Sequence, residues 1–312
     1  MLEMRSCNKT GALTNGGLGV ISKLTMFVVA GATGNTGQVV AESLLAQGKQ
    51  VTVLVRDASK GESWHAKGAT VAVASLEDVE ALTAILSGAE GAYFLTPPNN
   101  RASDYLPDRA RLSRGIANAV AKSGVQNVVL LSSIGADRTD GIGLLMVNRN
   151  AEAIITPAAQ NITILRAAYF LENWGASVRA VRETGVLYTF LTPRRRIPMV
   201  SAIDIGKLAA ESLLKPKPGK RTLELSGPQE YEPEDIAQAF EAELGKPVTV
   251  QARPLESVQP MFAGFGFSAD VASLYRDMYE AVNSGLVAWE GSGESHRGTV
   301  TGRDVVKRLL AR

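Results

Sequence analysis

Three glycines at intervals of three residues, Gly31, Gly34 and Gly37, stand between an apolar run and an amphipathic stretch. In such a loop Gly31 permits a tight turn, Gly34 lets the backbone approach a pyrophosphate, and Gly37 lets the following helix pack on the strand. The start of that helix also presents free N–H groups and the positive end of its dipole. Side-chain donors at the same loop are Thr33, Asn35 and Thr36. The motif therefore predicts a dinucleotide-binding loop.

Arg56 follows the second apolar run, VTVLV, and lies 19 residues after Gly37. Sites for NAD usually carry an acid at this place, which binds the ribose hydroxyls, whereas an arginine suits the 2′-phosphate of NADP. The planar guanidinium of Arg56 can pair with that phosphate through two parallel hydrogen bonds. Asp57 comes next, and the alternative is that Asp57 binds the ribose while Arg56 is a solvated charge. We predict that NADP(H) is preferred over NAD(H).

Short apolar runs alternate with helical patterns from Met26 onward. The predicted strands are Phe27–Ala30, Val51–Val55, Thr70–Ala74, Gly91–Leu95, Asn127–Leu131, Ile162–Leu165 and Thr222–Leu225. The predicted helices lie near Gly37–Ala46, Leu76–Leu86, Ala110–Ser123, Asn150–Ala158 and Asp204–Leu214. Because the strands are continuously apolar, we expect burial on both faces, as in a parallel sheet covered by helices. The sequence therefore predicts an α/β fold with a doubly wound parallel Rossmann sheet.

The carboxyl ends of these strands should meet at one edge of the sheet, where open α/β folds bind their ligands. The residues that we expect to contact the cofactor at this edge are Ser75, Leu76, Thr96, Pro97 and Ser132. For Ser132 the alternative is a purely structural hydroxyl that caps the turn after the fifth strand.

The chain is expected to divide into three parts. Residues 1–25 have no periodic pattern and several glycines, which predicts a flexible N-terminal tail or, as the alternative, a start-site extension. Residues 26–227 are predicted to form the NAD(P)-binding domain. The pattern changes after Pro228, and we expect residues 228–312 to form a smaller, mostly helical substrate lobe, with contributions from about 168–200. This lobe is rich in aromatic side chains, which favours an apolar acceptor.

Composition and charge argue against several classes of protein. The 312 residues carry 33 basic and 31 acidic side chains, so no general nucleic-acid footprint is expected. One cysteine and two histidines are too few for a metal site built on these ligands, and no metal is predicted. No apolar run reaches the roughly 18 residues that span a bilayer, so no membrane association is predicted. Low cysteine use and no export signal predict a cytoplasmic protein.

Five segments of the chain resemble the NmrA-like family, whose members are atypical short-chain dehydrogenases and reductases. In chain order the segments are GATGNTG, VLVRD, VVLLSS, LRAAYFLENW and VSAIDIGKLAAESLL. The resemblance covers Met26 to Gly227 well and the remainder only in general layout. Similar proteins include NADPH-dependent quinone and azo-type reductases, plant ether and isoflavone reductases, and cofactor-sensing regulators without turnover.

The chain departs from the short-chain dehydrogenase pattern in its catalytic residues. Those enzymes use a Tyr-x-x-x-Lys helix, in which the tyrosine donates a proton and the lysine holds the nicotinamide ribose. None of the seven tyrosines here has a lysine four residues later. The resemblance implies that Asn148 occupies the lysine position and that Tyr169 is the phenol nearest to the hydride. For Tyr169 the alternative is packing in the core or in the wall of the pocket. The catalytic candidates are Asn148, Tyr169 and Ser132.

These observations predict an NAD(P)H-dependent oxidoreductase that passes hydride to a small, flat acceptor. A quinone-like acceptor is favoured, because its reduction yields a stabilised aryloxide that water can protonate, whereas a carbonyl or imine needs a proton donor. The alternative is a catalytically silent regulator that senses NADP(H) and binds a partner protein. The sequence also leaves a homodimer open.

Overall fold

Residues 26–312 are described in the computed structural model, and the predicted tail, residues 1–25, lies outside them. The strands are β1 (Met26–Ala30), β2 (Gln50–Val55), β3 (Thr70–Val73), β4 (Gly91–Phe94), β5 (Asn127–Ser133), β6 (Asn161–Ala167), β7 (Tyr169–Phe170), β8 (Val186–Thr189), β9 (Ile197–Val200), β10 (Lys220–Ser226), β11 (Glu230–Tyr231), β12 (Thr249–Ala252) and β13 (Glu294–Arg297). The α-helices are α1 (Asn35–Ala46), α2 (Glu62–Ala66), α3 (Val79–Leu86), α4 (Tyr105–Ser123), α5 (Met146–Ile155), α6 (Val178–Thr184), α7 (Ala202–Leu214), α8 (Pro233–Leu244), α9 (Val258–Gly264), α10 (Ala269–Ser284) and α11 (Gly302–Leu310).

Eight strands form a parallel central sheet in the order β13-β10-β6-β5-β4-β1-β2-β3. Every residue of β4 is buried, and so is every residue of β1 except the first, because helices cover both faces of the sheet. All seven strands predicted from apolar runs belong to this sheet. The prediction of a doubly wound parallel α/β fold is confirmed.

The helices pack in two layers. On one face α1 and α7 contribute Val40, Leu44 and Ile205 to a core that also contains side chains of β1 and β2. On the other face α3, α4 and α5 contribute to a second core through Leu82, Ile116 and Ile155. Strands β1, β4 and β5 therefore lie in the middle of the molecule, and their carboxyl ends open onto one edge of the sheet.

A third core lies beyond this edge and holds the smaller lobe together. Strands β7, β9 and β11 form a three-stranded sheet, and β8 pairs with β12. The side chains of Trp174, Phe240 and Leu309 pack here, together with others from α6, α8 and α11. Strand β13 belongs to the C-terminal part of the chain but pairs with β10 in the central sheet. The boundary at residues 227 and 228 stays a prediction.

No helix in residues 26–312 combines the length and the hydropathy that crossing a bilayer requires. Within the same residues, no group of three or more histidine, cysteine or carboxylate side chains is placed to hold a metal ion.

Candidate active site

The glycine loop joins β1 to α1 as a tight turn. Gly31 has a φ of +67°, a left-handed conformation that favours glycine, and its carbonyl oxygen accepts a hydrogen bond from Gly34 N at 2.9 Å. A Cβ on Gly37 would lie 2.4 Å from Gly31 O and 2.7 Å from Ala30 O, so only glycine lets α1 approach the strand this closely. Gly34 precedes α1 as its N-cap without a side-chain hydrogen bond. The start of α1 is therefore open to a ligand.

The polar side chains of the loop point in two directions. Thr33 and Asn35 are exposed beside Gly34, whereas Thr36 is buried. Tyr93, on β4, donates its hydroxyl hydrogen to Thr36 Oγ1 at 2.9 Å, and burial raises the pKa of Tyr93, which keeps the donor protonated. Thr36 thus stabilises the base of the loop. Thr33 stays exposed, and the exposed Asn35 accepts a hydrogen bond from Arg312 Nη1 at its Oδ1, at 3.5 Å.

Arg56 is exposed directly after β2. The neighbouring carboxylate of Asp57 accepts hydrogen bonds from Ser59 N at 3.0 Å and from Ser59 Oγ at 2.9 Å. These two bonds hold the pKa of Asp57 below its ordinary value. Asp57 therefore caps the 3-10 turn Ala58–Gly61, and Arg56 is left as the exposed charge at the end of the strand.

The loop after β3 is held close to α4. Ser75 Oγ accepts a hydrogen bond from Glu77 N at 3.2 Å, so this hydroxyl shapes the turn. A Cβ on Gly115 would lie 2.8 Å from the carbonyl oxygen of Leu76, so α4 approaches the loop as closely as a glycine allows. Ser75 and Leu76 consequently lie at the carboxyl edge, as their position after the strand predicted.

The loop after β4 carries a polar atom without a partner. Thr96 Oγ1 is buried and has no hydrogen-bond partner among the described residues. The next residue, Pro97, offers its carbonyl oxygen to Arg109 Nη1 at 2.9 Å. Arg109 is buried on α4 and also lies 3.8 Å from Glu77 Oε1, so it connects the loops after β3 and β4. Sequence reasoning did not single out Arg109, although a charge on the buried face of a helix is the signal that could have found it.

At the end of β5 the two serines have different partners. Ser132 is buried and donates its hydroxyl hydrogen to Glu152 Oε1 at 2.6 Å. Ser133 Oγ accepts a hydrogen bond from Asn148 Nδ2 at 3.1 Å. Asn148 thus contacts Ser133 at the carboxyl edge of the sheet. The hydroxyl of Ser132 instead belongs to a buried polar network. Glu152 is a second residue that sequence reasoning did not single out.

Tyr169 is the first residue of β7, two residues after the end of β6, and is half-buried. Its hydroxyl interacts with the side chains of Asn173 and Tyr279, and burial raises the pKa of Tyr169 to about 12. The phenol is therefore protonated at neutral pH and can donate a hydrogen bond. Burial likewise raises the pKa of Tyr279 well above its ordinary value.

Five aromatic side chains pack against one another, and one of them, Tyr279, contacts Tyr169. We call the five the aromatic cluster. Its members are Phe190, Phe262, Phe267, Tyr275 and Tyr279. The ring of Phe262 lies 4.7 Å from that of Tyr275 and 5.0 Å from that of Phe267, measured between centroids, at tilted and edge-on angles typical of favourable aromatic pairs. The cluster forms an apolar wall of polarisable rings.

Hydrogen bonds place this wall over the carboxyl edge. Ser268, which caps the start of α10, donates its N–H to Asn100 O at 2.9 Å and its hydroxyl to Ala102 O at 2.6 Å. Asp270 Oδ2 accepts a bond from Tyr105 N at 2.7 Å. Helix α10 is thus fixed to the loop after β4, and its tyrosines reach the segment after β6. Strand β5, with Ser133 at its end, lies between them.

The residues present fit a nicotinamide dinucleotide. A Cβ on Gly34 would meet only Gly31 O, at 3.3 Å, so the described residues, apart from its two chain neighbours, leave room beside Gly34 at the start of α1. The unpartnered hydroxyl of Thr96 lies at the same edge and can bond a ligand. Fold and site together define a dinucleotide-binding α/β protein with an aromatic lobe over the ligand edge.

Comparison with known proteins gives the family. The NmrA-like family model matches residues 23–286, and the chain belongs to this family, as its motifs predicted. An NAD(P)H azoreductase of Xenophilus azovorans is 27% identical over 256 residues, 81% of this chain and 86% of the relative. Quinone oxidoreductase 2 of Escherichia coli is 28% identical over 228 residues, 72% of this chain and 77% of the relative.

Solved structures agree with the fold. The NADPH complex of the E. coli quinone oxidoreductase QOR2 has a TM-score of 0.71 and 25% identity, and the match covers 92% of this chain and all of that one. A Citrobacter triphenylmethane reductase in complex with NADP(H) has a TM-score of 0.74 at 21% identity, with the same coverage.

Proposed function

We propose that the protein is an NADPH-dependent oxidoreductase that passes hydride to a flat aromatic acceptor, with quinones as the preferred class. The observation that carries the proposal is the aromatic cluster over the carboxyl edge, next to an open dinucleotide loop. An apolar wall of rings binds planar conjugated molecules through stacking and exclusion of water. The two curated relatives described above are named as an azoreductase and a quinone oxidoreductase, so the sensor alternative receives no support from them.

Each part of the cofactor has a residue that can hold it. The pyrophosphate would lie on the backbone of Gly34 and the start of α1, with the side chains of Thr33 and Asn35 beside it. The guanidinium of Arg56 would pair with the 2′-phosphate, which supports a preference for NADP(H). The remaining predicted contacts, at the adenine and nicotinamide ends, are Ser75, Leu76, Thr96 and Pro97. The hydroxyl of Ser132, also predicted as a contact, is instead bonded to Glu152.

At the nicotinamide end, the chain supplies orientation rather than an ammonium group. Asn148 donates to Ser133 through Nδ2, which leaves its Oδ1 free to accept a hydrogen bond from a ribose hydroxyl. No lysine is available at this position to lower the pKa of a phenol. In this chain the neutral amide of Asn148 would therefore hydrogen-bond the nicotinamide ribose, in place of the lysine ammonium of the Tyr-x-x-x-Lys helix.

The chemistry requires one hydride and one proton per acceptor. Bound NADPH supplies the hydride, and a quinone that receives both electrons becomes an aryloxide, which takes a proton to form the hydroquinone. Tyr169 can donate a hydrogen bond to the developing oxyanion, because its phenol is protonated at neutral pH. The surrounding rings exclude water, which strengthens this bond.

Replacing Phe262 with alanine is expected to raise the KM for a naphthoquinone about tenfold, because the variant removes the ring in contact with three others of the aromatic cluster. The KM for NADPH should change less than twofold. Phe265 is the matched control, since its side chain is 71% exposed beyond the cluster. A similar rise in KM for Phe265→Ala would show that general destabilisation of α9, and not the loss of a wall residue, is responsible.

Replacing Tyr169 with phenylalanine should lower kcat for a quinone about tenfold, less than the 10²–10⁴ typical of an obligatory general acid. Because the pKa of Tyr169 is raised to about 12, its phenol stays protonated between pH 6 and pH 9, and the wild-type rate should be constant over this range. Steady-state rates across this range test both statements. An alkaline decline below pH 9 that Tyr169→Phe abolishes would contradict the protonated-phenol role.

The proposal as a whole is tested with purified protein, NADPH and a panel of quinones, enones, aldehydes and azo dyes. We expect oxidation of NADPH to be fastest with quinones and slow with aldehydes, which need a strong proton donor. A sensor would instead bind oxidised and reduced cofactor with different affinities and turn over none of these acceptors.

A further inference from the structure

A buried ion pair lies one helical turn behind the nicotinamide end of the site. Arg166, on β6, donates from Nε to Glu152 Oε1 at 3.0 Å and from Nη2 to Glu152 Oε2 at 2.9 Å. Both side chains are only 8% exposed. Two parallel bonds between a guanidinium and a carboxylate fix the relative orientation of the two groups as well as their distance.

The network continues from this pair into β5. Ser132 is the residue that pairs with Arg166 in the register between β5 and β6, and its hydroxyl donates to Glu152 Oε1 at 2.6 Å. One carboxylate from α5 therefore receives three hydrogen bonds from two adjacent strands of the sheet. Since an unpaired buried charge is costly, α5 is held in the single orientation that satisfies all three.

The same helix carries Asn148, four residues before Glu152. Residues at this spacing lie on the same face of a helix. The amide of Asn148 meets Ser133, the residue next to Ser132 at the end of β5. The contacts of Glu152 and Asn148 thus join one face of α5 to two consecutive residues of one strand.

We propose that Glu152 is a positioning residue, which acts by fixing the rotation of α5 so that Asn148 faces the nicotinamide ribose. The inference rests on the proposed function for the identity of the ligand. It assigns the hydroxyl of Ser132 to holding Glu152 and assigns Ser133 to the ligand-facing edge. The guanidinium of Arg166 makes no cofactor contact in this arrangement, because it bonds the carboxylates of Glu152 and Glu290.

A double-mutant cycle on NADPH affinity tests the inference, with Glu152→Gln, Asn148→Ala and the double variant measured by titration calorimetry. Gln retains the size of Glu but turns an amide N–H₂ toward the donors of Arg166. Each single substitution should weaken NADPH binding about tenfold, and the double variant should be no weaker than Asn148→Ala, because coupled residues are non-additive. Additive losses, about a hundredfold in the double variant, would overturn the inference.

Glu290 provides the matched control. It accepts a bond from Arg166 Nη1 at 2.5 Å, on the side of the guanidinium away from Glu152, and its side chain is 41% exposed. Glu290→Gln therefore removes one charge from the same arginine without touching α5, and NADPH affinity should stay within about twofold of wild type. A loss equal to that of Glu152→Gln would show that charge around Arg166, and not the placement of α5, sets the affinity.

If Glu152→Gln does not fold, Ser132→Ala gives the same test with a smaller perturbation. It removes one of the three bonds to Glu152, so a twofold to threefold loss of NADPH affinity, less than the full contribution of a hydrogen bond to a charged group, is expected and should vanish in the Asn148→Ala background. Persistence of that loss would contradict the positioning role. Binding of NADPH without reduction of any acceptor would reject the proposed function. The double-mutant cycle would still test the positioning role, because it measures NADPH affinity and not turnover.

Discussion

Replacing Arg56 with alanine is expected to weaken NADPH binding about 100-fold, while NADH binding changes less than about twofold, because two charge-assisted hydrogen bonds to the 2′-phosphate are lost. NADH lacks that phosphate and loses nothing. Arg56 is exposed after β2 and packs against no core, so the melting temperature without cofactor should stay constant. Titration calorimetry with both cofactors on wild type and variant measures the ratio of the two affinities.

The variant Arg56→Lys serves as the control for charge alone. A lysine keeps the positive charge but cannot reproduce the planar fork, so only part of the NADPH affinity should return. Equal losses for NADH and NADPH in Arg56→Ala would mean that Arg56 maintains the shape of the loop. The preference for NADP(H) would then have to be abandoned.

Replacing Gly37 with alanine should destabilise the whole nucleotide-binding half of the chain. The new Cβ would lie 2.4 Å from Gly31 O, a backbone atom that cannot move without opening the turn between β1 and α1. Overpacking of this kind costs about 3 kcal/mol, which corresponds to a fall in melting temperature of about 6–12 °C. Thermal unfolding followed by circular dichroism measures the fall, and both cofactors should lose affinity.

Gly34→Ala separates fold from ligand binding at the same loop. Its Cβ would meet only Gly31 O, at 3.3 Å, and the φ of −105° at Gly34 is available to alanine. We expect a melting temperature within about 2 °C of wild type, together with a loss of NADPH and NADH affinity of more than about tenfold, because the methyl group occupies the approach to the pyrophosphate. A stable variant with unchanged affinity would place the phosphates elsewhere.

The central sheet follows from the sequence because its strands are continuous apolar runs, as a sheet buried on both faces requires. Strand β13 is the one strand of the central sheet that an apolar run does not identify. Its residues, Glu294–Arg297, are polar and mostly exposed at the edge of the sheet, so no apolar pattern marks them. Helix α5 begins at Met146, four residues before the predicted start, because the turn at Gly143–Leu145 leads directly into it.

The candidate site is predictable to the extent that it depends on chain order. The glycine loop, Arg56 and the residues after β3, β4 and β5 fall at the carboxyl edge because parallel strands end there. The contacts between Arg109 and Pro97 and between Ser132 and Glu152 depend instead on how helices rotate on the sheet. Periodicity shows only that Arg109 and Glu152 lie on buried helix faces, which does not identify their partners.

Hydride transfer from bound NADPH to a quinone is tested most directly by a single-turnover reaction, in which the protein–NADPH complex is mixed anaerobically with a naphthoquinone. Absorbance at the reduced nicotinamide band and the yield of hydroquinone are followed together, with NADPH carrying either hydrogen or deuterium at the reactive carbon. One hydroquinone per NADPH and a slower reaction with deuterium are expected, because hydride transfer occurs in the complex. Tight binding of NADPH with unchanged absorbance in the presence of the quinone would contradict it.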